Sequence, residues 1–360
     1  MKKLLLATAV AALSVSAANA APTVYGKAFL AADYVNADFD SRVIGREDFD
    51  EDTVEINSHA SRLGFKGSEA MTANTDVIYQ LEYGTRIDGD KDGFTNRDTY
   101  LGINNKQFGQ FRVGKNQSSL DKINNVVVNQ GYWDNLGTNE MENDVVEALN
   151  MADSSRIASS VIWTSPKYDG LPLQFTAMYS SDDKNNNDDA GFGVAMMFDQ
   201  GTGFTAGLAY DKDQNIKTEN GGGDIIRGTA TVDLGNYIAA PVTLGALYQV
   251  ADYDYDNRST TKEKGLVVSA IMGLTNFARP ANVYAQYNKT NNLNGWDDAN
   301  SDQIVVGGQY FFKDNIIMHA YAGVNSADDL KTLSTDDGAI FSAYGDAKVV
   351  VVGTGLEYKF

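Results

Sequence analysis

The sequence predicts an all-β fold, a 16-stranded antiparallel transmembrane β-barrel, and three observations support that reading. Segments of about ten residues alternate oily and polar side chains with a period of two. The links between them alternate between tight turns and long stretches rich in Asp, Asn and Gly. Aromatic residues gather near the segment ends, where a lipid–water boundary would fall: Tyr25, Tyr34, Tyr83, Trp163, Tyr179 and Tyr358.

Composition removes other classes. The 360 residues include 48 acidic and 29 basic side chains, a net charge of −19, no cysteine and two histidines. Without cysteine there is no disulfide framework, thiolate metal site or thiol nucleophile, and imidazole chemistry would rest on His59 or His319 alone. An acidic surface repels phosphate backbones, so nucleic acid is not an expected partner. Yet 34 Gly, 19 Tyr and 16 Phe beside 5 Pro do not describe a disordered acidic chain, and the protein is expected to fold.

The chain opens on Lys2 and Lys3, an apolar stretch from Leu4 to Val15 and the small-residue site Ala18-Asn19-Ala20. These read as a secretory signal peptide over residues 1–20, leaving 21–360 as one barrel. No later uncharged apolar run approaches the ~18 residues of a spanning helix. The first strand, 23–35, sets Val24, Ala28, Leu30, Ala32 and Tyr34 against Lys27, Ala31 and Asp33, with Phe29 breaking the pattern. After 54–66, the strand 74–86 sets Val77, Tyr79, Leu81 and Tyr83 against Asp76, Gln80, Glu82 and Gly84. The same reading gives 97–104, 109–116, 156–165, 172–181, 190–198, 203–211, 224–234, 241–252, 264–274, 281–290, 302–312 and 316–325. The last strand, 347–360, sets Val350, Val352, Leu356, Tyr358 and Phe360 against Gly353, Gly355, Glu357 and Lys359. Long polar links are expected over 36–53 and 326–346 among others, and at ~10 residues per strand about 19 remain for each long loop.

Strands that alternate in this way need one greasy neighbour. A soluble sandwich supplies it with a second sheet, whereas a barrel of this size has a lumen too wide for side chains to fill. The polar face then meets water inside and the oily face meets lipid, with closure satisfying every backbone group. An exported soluble propeller or sandwich is the rival fold, and it leaves the alternating link lengths unexplained.

Several segments resemble a known family over essentially the whole chain after the signal: Val24-Tyr25-Gly26-Lys27, Ser61-Arg62-Leu63-Gly64-Phe65-Lys66-Gly67, the strand from Arg97 to Ile103 followed by Phe108-Gly109, Phe111-Arg112-Val113-Gly114-Lys115, Arg156 to Tyr168, and the terminal Phe360. In this order they are similar to the general diffusion porins of Gram-negative outer membranes. The resemblance implies a water-filled sixteen-stranded barrel with short periplasmic turns and long extracellular loops, whose third loop folds inward. It implies a homotrimer in the outer membrane, in contact with lipopolysaccharide and lipid, passing small hydrophilic solutes and ions. It also makes Phe360 the residue presented to the outer-membrane assembly machinery. No cofactor and no catalytic activity are implied.

The third long loop, 116–155, is the longest, about forty residues, a length that argues for function. It holds Asp134, Glu140, Glu142, Asp144, Glu147 and Asp153 against the single base Lys122, though the loop-tip sequence common in the family is absent. Strand parity places Lys27, Arg62, Lys66, Arg112 and Arg156 on the lumen face. Parity is ambiguous at Arg97, which rests on the resemblance alone. A basic wall of Lys27, Arg62, Arg97, Arg112 and Arg156 opposite an acidic loop would set up a transverse field across a narrow mouth. Alternatively, the arginines only pin the loop through its carboxylates. The acidic balance predicts cation over anion preference.

Other signals are weaker. Asp88-Gly89-Asp90-Lys91-Asp92-Gly93 imitates the start of a calcium loop, but position twelve is Thr99 rather than Glu, so no metal site is expected. Neither histidine belongs to a hydrolase motif, and Gly221-Gly222-Gly223 lacks the Lys and Ser/Thr of a phosphate loop. A substrate-specific, sugar-type channel would need an aromatic stripe along the pore, for which Tyr132 and Trp133 are the clear candidates.

Overall fold

In the computed structural model, which describes residues 22–43, 48–89, 93–134, 149–181, 190–216, 222–255, 259–336 and 339–360, antiparallel pairing follows the order of the chain, except that the second and third strands both pair with the first, and the first pairs with the last. The strands are β1 (Thr23–Ser41), β2 (Phe49–Ser58), β3 (Arg62–Thr72), β4 (Thr75–Thr85), β5 (Phe94–Asn105), β6 (Gly109–Gln117), β7 (Arg156–Thr164), β8 (Leu173–Ser180) and β9 (Gly191–Asp199). They continue as β10 (Phe204–Lys212), β11 (Gly223–Asp233), β12 (Val242–Tyr253), β13 (Glu263–Leu274), β14 (Ala281–Asn291), β15 (Asn300–Lys313), β16 (Ile316–Asp336) and β17 (Ala339–Lys359). The proposed signal, 1–20, lies outside the described residues.

These segments make sixteen staves, because β2 and β3 are two halves of one: β1 pairs β2 from Leu30↔Ser58 to Phe39↔Phe49, and pairs β3 from Lys27↔Arg62 to Thr23↔Lys66. The sequence reading made 54–66 one strand. In the structure His59, Ala60 and Ser61 stand against Ala28 and Phe29, and Ala60 takes a positive φ of 48°. Period-two patterning does not register such a bulge, because one extra residue leaves the alternation intact on either side.

Closure joins the two ends. The Gly26 amide donates to the Phe360 carbonyl at 2.8 Å, and the Phe360 amide returns the bond to Gly26 at 3.1 Å. With no free edge, the backbone carries its own hydrogen bonds through hydrocarbon, where each unsatisfied group would cost several kcal/mol. The two faces separate as the sequence predicts. Lys27, Phe29, Ala31, Asp33 and Val35 of β1 are buried inward, while Leu30 and Tyr34 are exposed outward, joined around the wall by Val194, Leu208, Ile226, Val268, Ile304, Val306, Val352 and Leu356. So continuous an exposed apolar belt fits a lipid boundary. Tyr25 is an exception to the expected girdle, since its hydroxyl donates inward to Glu82 Oε2 at 3.0 Å.

Two expected loops are strand instead. β1 and β2 continue through Asn36↔Asp52 and Asp38↔Asp50, and β16 and β17 continue to Asp336↔Ala339, where the sequence suggested links over 36–53 and 326–346. Above the bilayer a strand pair needs no oily face, so the ladder persists after its sequence pattern has ended.

The described parts of the link between β6 and β7, 118–134 and 149–155, fold inside the barrel. Leu120 and Ile123 pack on Ala195, Ala209 and Ile225; Val126 and Met151 pack on Leu247 and Val267; Tyr132, Trp133 and Leu149 pack on Tyr284, Val305 and Tyr321. Each fully buried aliphatic side chain contributes ~1.5–3 kcal/mol, which holds the loop against the wall. Wall glycines make room: a Cβ at Gly207 would stand 2.6 Å from Ile123 Cβ.

Candidate pore constriction

The predicted basic residues occupy one sector of the inner wall, on β1, β3, β5, β6 and β7. Lys27 and Arg62 are cross-strand partners. Lys27 Nζ lies 3.8 Å from Glu357 Oε2. Arg62 Nε lies 3.7 Å from Glu82 Oε2, and Arg97 Nε lies 2.7 Å from Glu82 Oε1. The guanidinium of Arg112 stands over the Tyr100 ring at 4.8 Å, and Arg156 Nε meets Asp98 Oδ1 at 2.8 Å. Lys66 is more exposed, with Nζ 4.8 Å from the centre of the Tyr25 ring.

The ambiguous parity at Arg97 has a structural cause. Pairing runs Leu81↔Thr99 and then Tyr83↔Asn96, so Arg97 and Asp98 both face Glu82 across a bulge. Both side chains reach inward partners. The wall is therefore an interleaved array in which each base is neutralised or stacked by its neighbour. Sequence reasoning did not assign Glu82, Asp98 or Glu357 to it, because their partners lie on other strands.

Among the loop carboxylates, Asp134 follows the turn Gly131–Trp133 and feels Lys27, His59, Glu357 and Arg62. Its side chain is open to the lumen but ringed by the barrel, and that burial pushes the carboxyl up to about 6. Nearer β6, Lys122 Nζ lies 3.8 Å from Asp121 Oδ2; burial raises Asp121 and lowers Lys122. Glu140, Glu142, Asp144 and Glu147 lie outside the described residues.

Asp153 belongs to a different cluster. Arg227 of β11, fully buried, donates from Nη1 to Asp153 Oδ1 at 3.1 Å, from Nη2 to the Ala152 carbonyl at 3.2 Å and from Nε to Gln249 Oε1 at 2.9 Å. Glu263 accepts from the Ala152 amide at 2.9 Å. On the outgoing limb, Ser119 Oγ donates to Asp211 Oδ1 at 2.7 Å. Both limbs of the loop are thus tied to β10–β13. Arg227 was not singled out from the sequence, where its isolated place on a strand gave no signal.

A model of Gram-negative porins matches residues 7–330 of the chain. The chain belongs to the Gram-negative porin family. Among curated relatives, this porin is 25% identical over 404 aligned positions to outer membrane protein S2 of Salmonella typhi, covering 100% of each chain. It is 29% identical over 209 positions to major outer membrane protein P.IB of Neisseria gonorrhoeae, covering 58% of this chain and 56% of the relative. Among solved structures, the anion-selective porin of Comamonas acidovorans superposes with a TM-score of 0.69 at 17% identity, over 95% of this chain and 100% of that one. The trimer form of Vibrio cholerae OmpT gives 0.63 at 14% identity, over 95% and 100%. These last two likenesses are of fold. Family membership and the barrel place the protein in the outer membrane as a multi-pass porin.

Proposed function

We propose that this porin is a general diffusion pore for small hydrophilic solutes and ions, with a preference for cations. The observation that supports the reading is the charged inner wall of Lys27, Arg62, Arg97, Arg112 and Arg156, crossed by an inward loop that brings Asp134 into the field of Lys27 and Arg62. Charges held on facing walls in a narrow lumen order water and favour dipolar solutes over apolar ones. Lys27, Arg62, Arg97 and Arg156 pair with wall carboxylates and Arg112 stacks on Tyr100, which supports a filtering role over one of only pinning the loop. Glu140, Glu142, Asp144 and Glu147 complete the acidic side in this proposal, and the excess of 48 acidic over 29 basic residues favours cations.

The reading includes a single barrel over 21–360 after cleavage of 1–20, a homotrimer in contact with lipopolysaccharide and outer-membrane lipid, and Phe360 as the signal for the assembly machinery. It assigns channel activity and no catalysis. The sugar-specific alternative loses its support, because Tyr132 and Trp133 are 2% and 5% exposed and pack on the wall. Liposome swelling with sugars of graded size tests the proposal. A smooth decline of rate with size is expected, and saturation by one sugar would contradict it.

A further inference from the structure

On the short-turn side of the constriction the inner wall changes character. Lys66 pairs in register with Gln80, and Gln80 with Tyr100, across β3, β4 and β5, while Arg112 follows on β6 opposite Gly102. Lys66, Gln80 and Tyr100 lie one inward step nearer the short turns than the row that holds Glu82 and Asp98. Two units of the same design stand here. In the first, the Tyr25 hydroxyl donates to Glu82 Oε2 at 3.0 Å, which fixes the ring, and Lys66 Nζ rests 4.8 Å from the ring centre. Gly64 leaves that ring its place, since a Cβ there would stand 2.4 Å from it. In the second, the Tyr100 hydroxyl donates to Gln80 Oε1 at 3.3 Å, and the Arg112 guanidinium rests 4.8 Å from the Tyr100 ring centre.

The charge balance sets this row apart. In the row above, Glu82 serves Arg62, Arg97 and Tyr25, and Asp98 serves Arg156, so those carboxylates are taken. Among the described residues neither Lys66 nor Arg112 has a carboxylate at ion-pair distance. An aromatic face attracts a cation but has no net charge of its own, so both bases keep theirs. Lys66 is exposed and Arg112 half-buried. A guanidinium stacked on a ring has its face covered and its N–H edge left over, which is the edge that takes a carboxylate. Gln80, whose Oε1 already accepts from Tyr100, is left with amide N–H groups to donate.

We propose that this shelf is a binding site for organic anions with two or more acid groups, di- and tricarboxylates, held in transit on the short-turn side of the constriction. The inference rests on the pore reading above and adds a solute class to it. Lys66 and Arg112 start from strands three apart, ~14 Å along the wall, with Gln80 between them. A single carboxylate engages one base, and a solute with separated acid groups engages both. Water and salt in the lumen screen each contact, so the solute is slowed and not trapped.

The test is block of the single-channel potassium current in KCl at pH 8 by added potassium citrate, with potassium acetate at equal charge as the comparison. Citrate is expected to lower the current saturably, and acetate is not. Lys66→Gln should raise the half-blocking concentration about threefold, and Lys66→Gln combined with Arg112→Gln about tenfold. Lys66→Arg, which keeps the charge over the Tyr25 ring, should retain the block. Because Lys66 is exposed, its two single variants carry the test should the double variant not assemble. A native current that citrate lowers no more than acetate does, or a half-blocking concentration unchanged in Lys66→Gln, overturns the inference while leaving the pore reading intact. Absence of any conductance in the native protein overturns both.

Discussion

Trp133 of the inward loop packs directly on Gly323 of β16, where a Cβ would stand 2.7 Å from the indole ring. The loop tip is therefore seated by the absence of a side chain on the wall. Gly323→Val should lift the indole towards the lumen axis at a cost of about 1–3 kcal/mol and narrow the passage. A lower single-channel conductance in a barrel that remains resistant to detergent is the expected result; an unchanged conductance would show that the tip is placed by something else.

Glu82 sits between Arg62 and Arg97, 3.7 and 2.7 Å away, so removing one partner changes the net charge of the wall without emptying it. Arg62→Ala should widen the constriction and strengthen cation preference. Glu82→Gln should weaken it and leave two half-buried guanidiniums with one fewer counter-ion. Reversal potentials that move in the same direction for both variants would remove this group from the filter.

The carboxyl of Asp134, pushed up to about 6 by burial, is charged above that pH and neutral below it. Its contribution to cation preference is thus fully present at pH 8 and lost as the pH falls through 6. Asp134→Asn should hold that contribution at its low-pH level throughout, read as a smaller potassium-to-chloride permeability ratio at pH 8. Equal ratios for the native and variant channels at pH 8 would place Asp134 away from the ion path.

Arg227 ties the returning limb of the loop through Asp153 and Ala152 without reaching the lumen itself. Replacing one partner of a buried ion pair costs about 3–5 kcal/mol because the other charge is left uncompensated. Arg227→Met should therefore loosen 149–155 while the barrel persists. Faster cleavage of that segment by a broad-specificity protease in detergent, with substates in the single-channel record, is the expected outcome; a cleavage pattern like that of the native protein would contradict it.

Much of the fold was legible because lipid and water each imprint a two-residue period. The strands of the membrane belt, such as β6, β9 and β12, fall within one or two residues of their expected bounds. The imprint stops where the bilayer stops, which is why the upper parts of β1, β2, β16 and β17 read as loops. Parity assigns Lys27, Arg62, Arg112 and Arg156 to the lumen face because each stands on a regularly alternating stretch of strand. It could not resolve Arg97, because a bulge spends two residues on one place in the ladder, and it passed over the break at His59 for the same reason. Glu82, Asp98 and Arg227 acquire their partners from strands or loops elsewhere in the sequence, so no local pattern marks them. The inward loop announced itself by length, but its seat, built from Gly207 and Gly323, becomes visible only once the wall is closed.

Single-channel recording of the purified protein in a planar bilayer under a salt gradient tests the central claim most directly. Three equal conductance steps per insertion and a reversal potential of the sign for cation preference are predicted. Absence of conductance, or a channel that prefers anions at pH 8, would contradict the account.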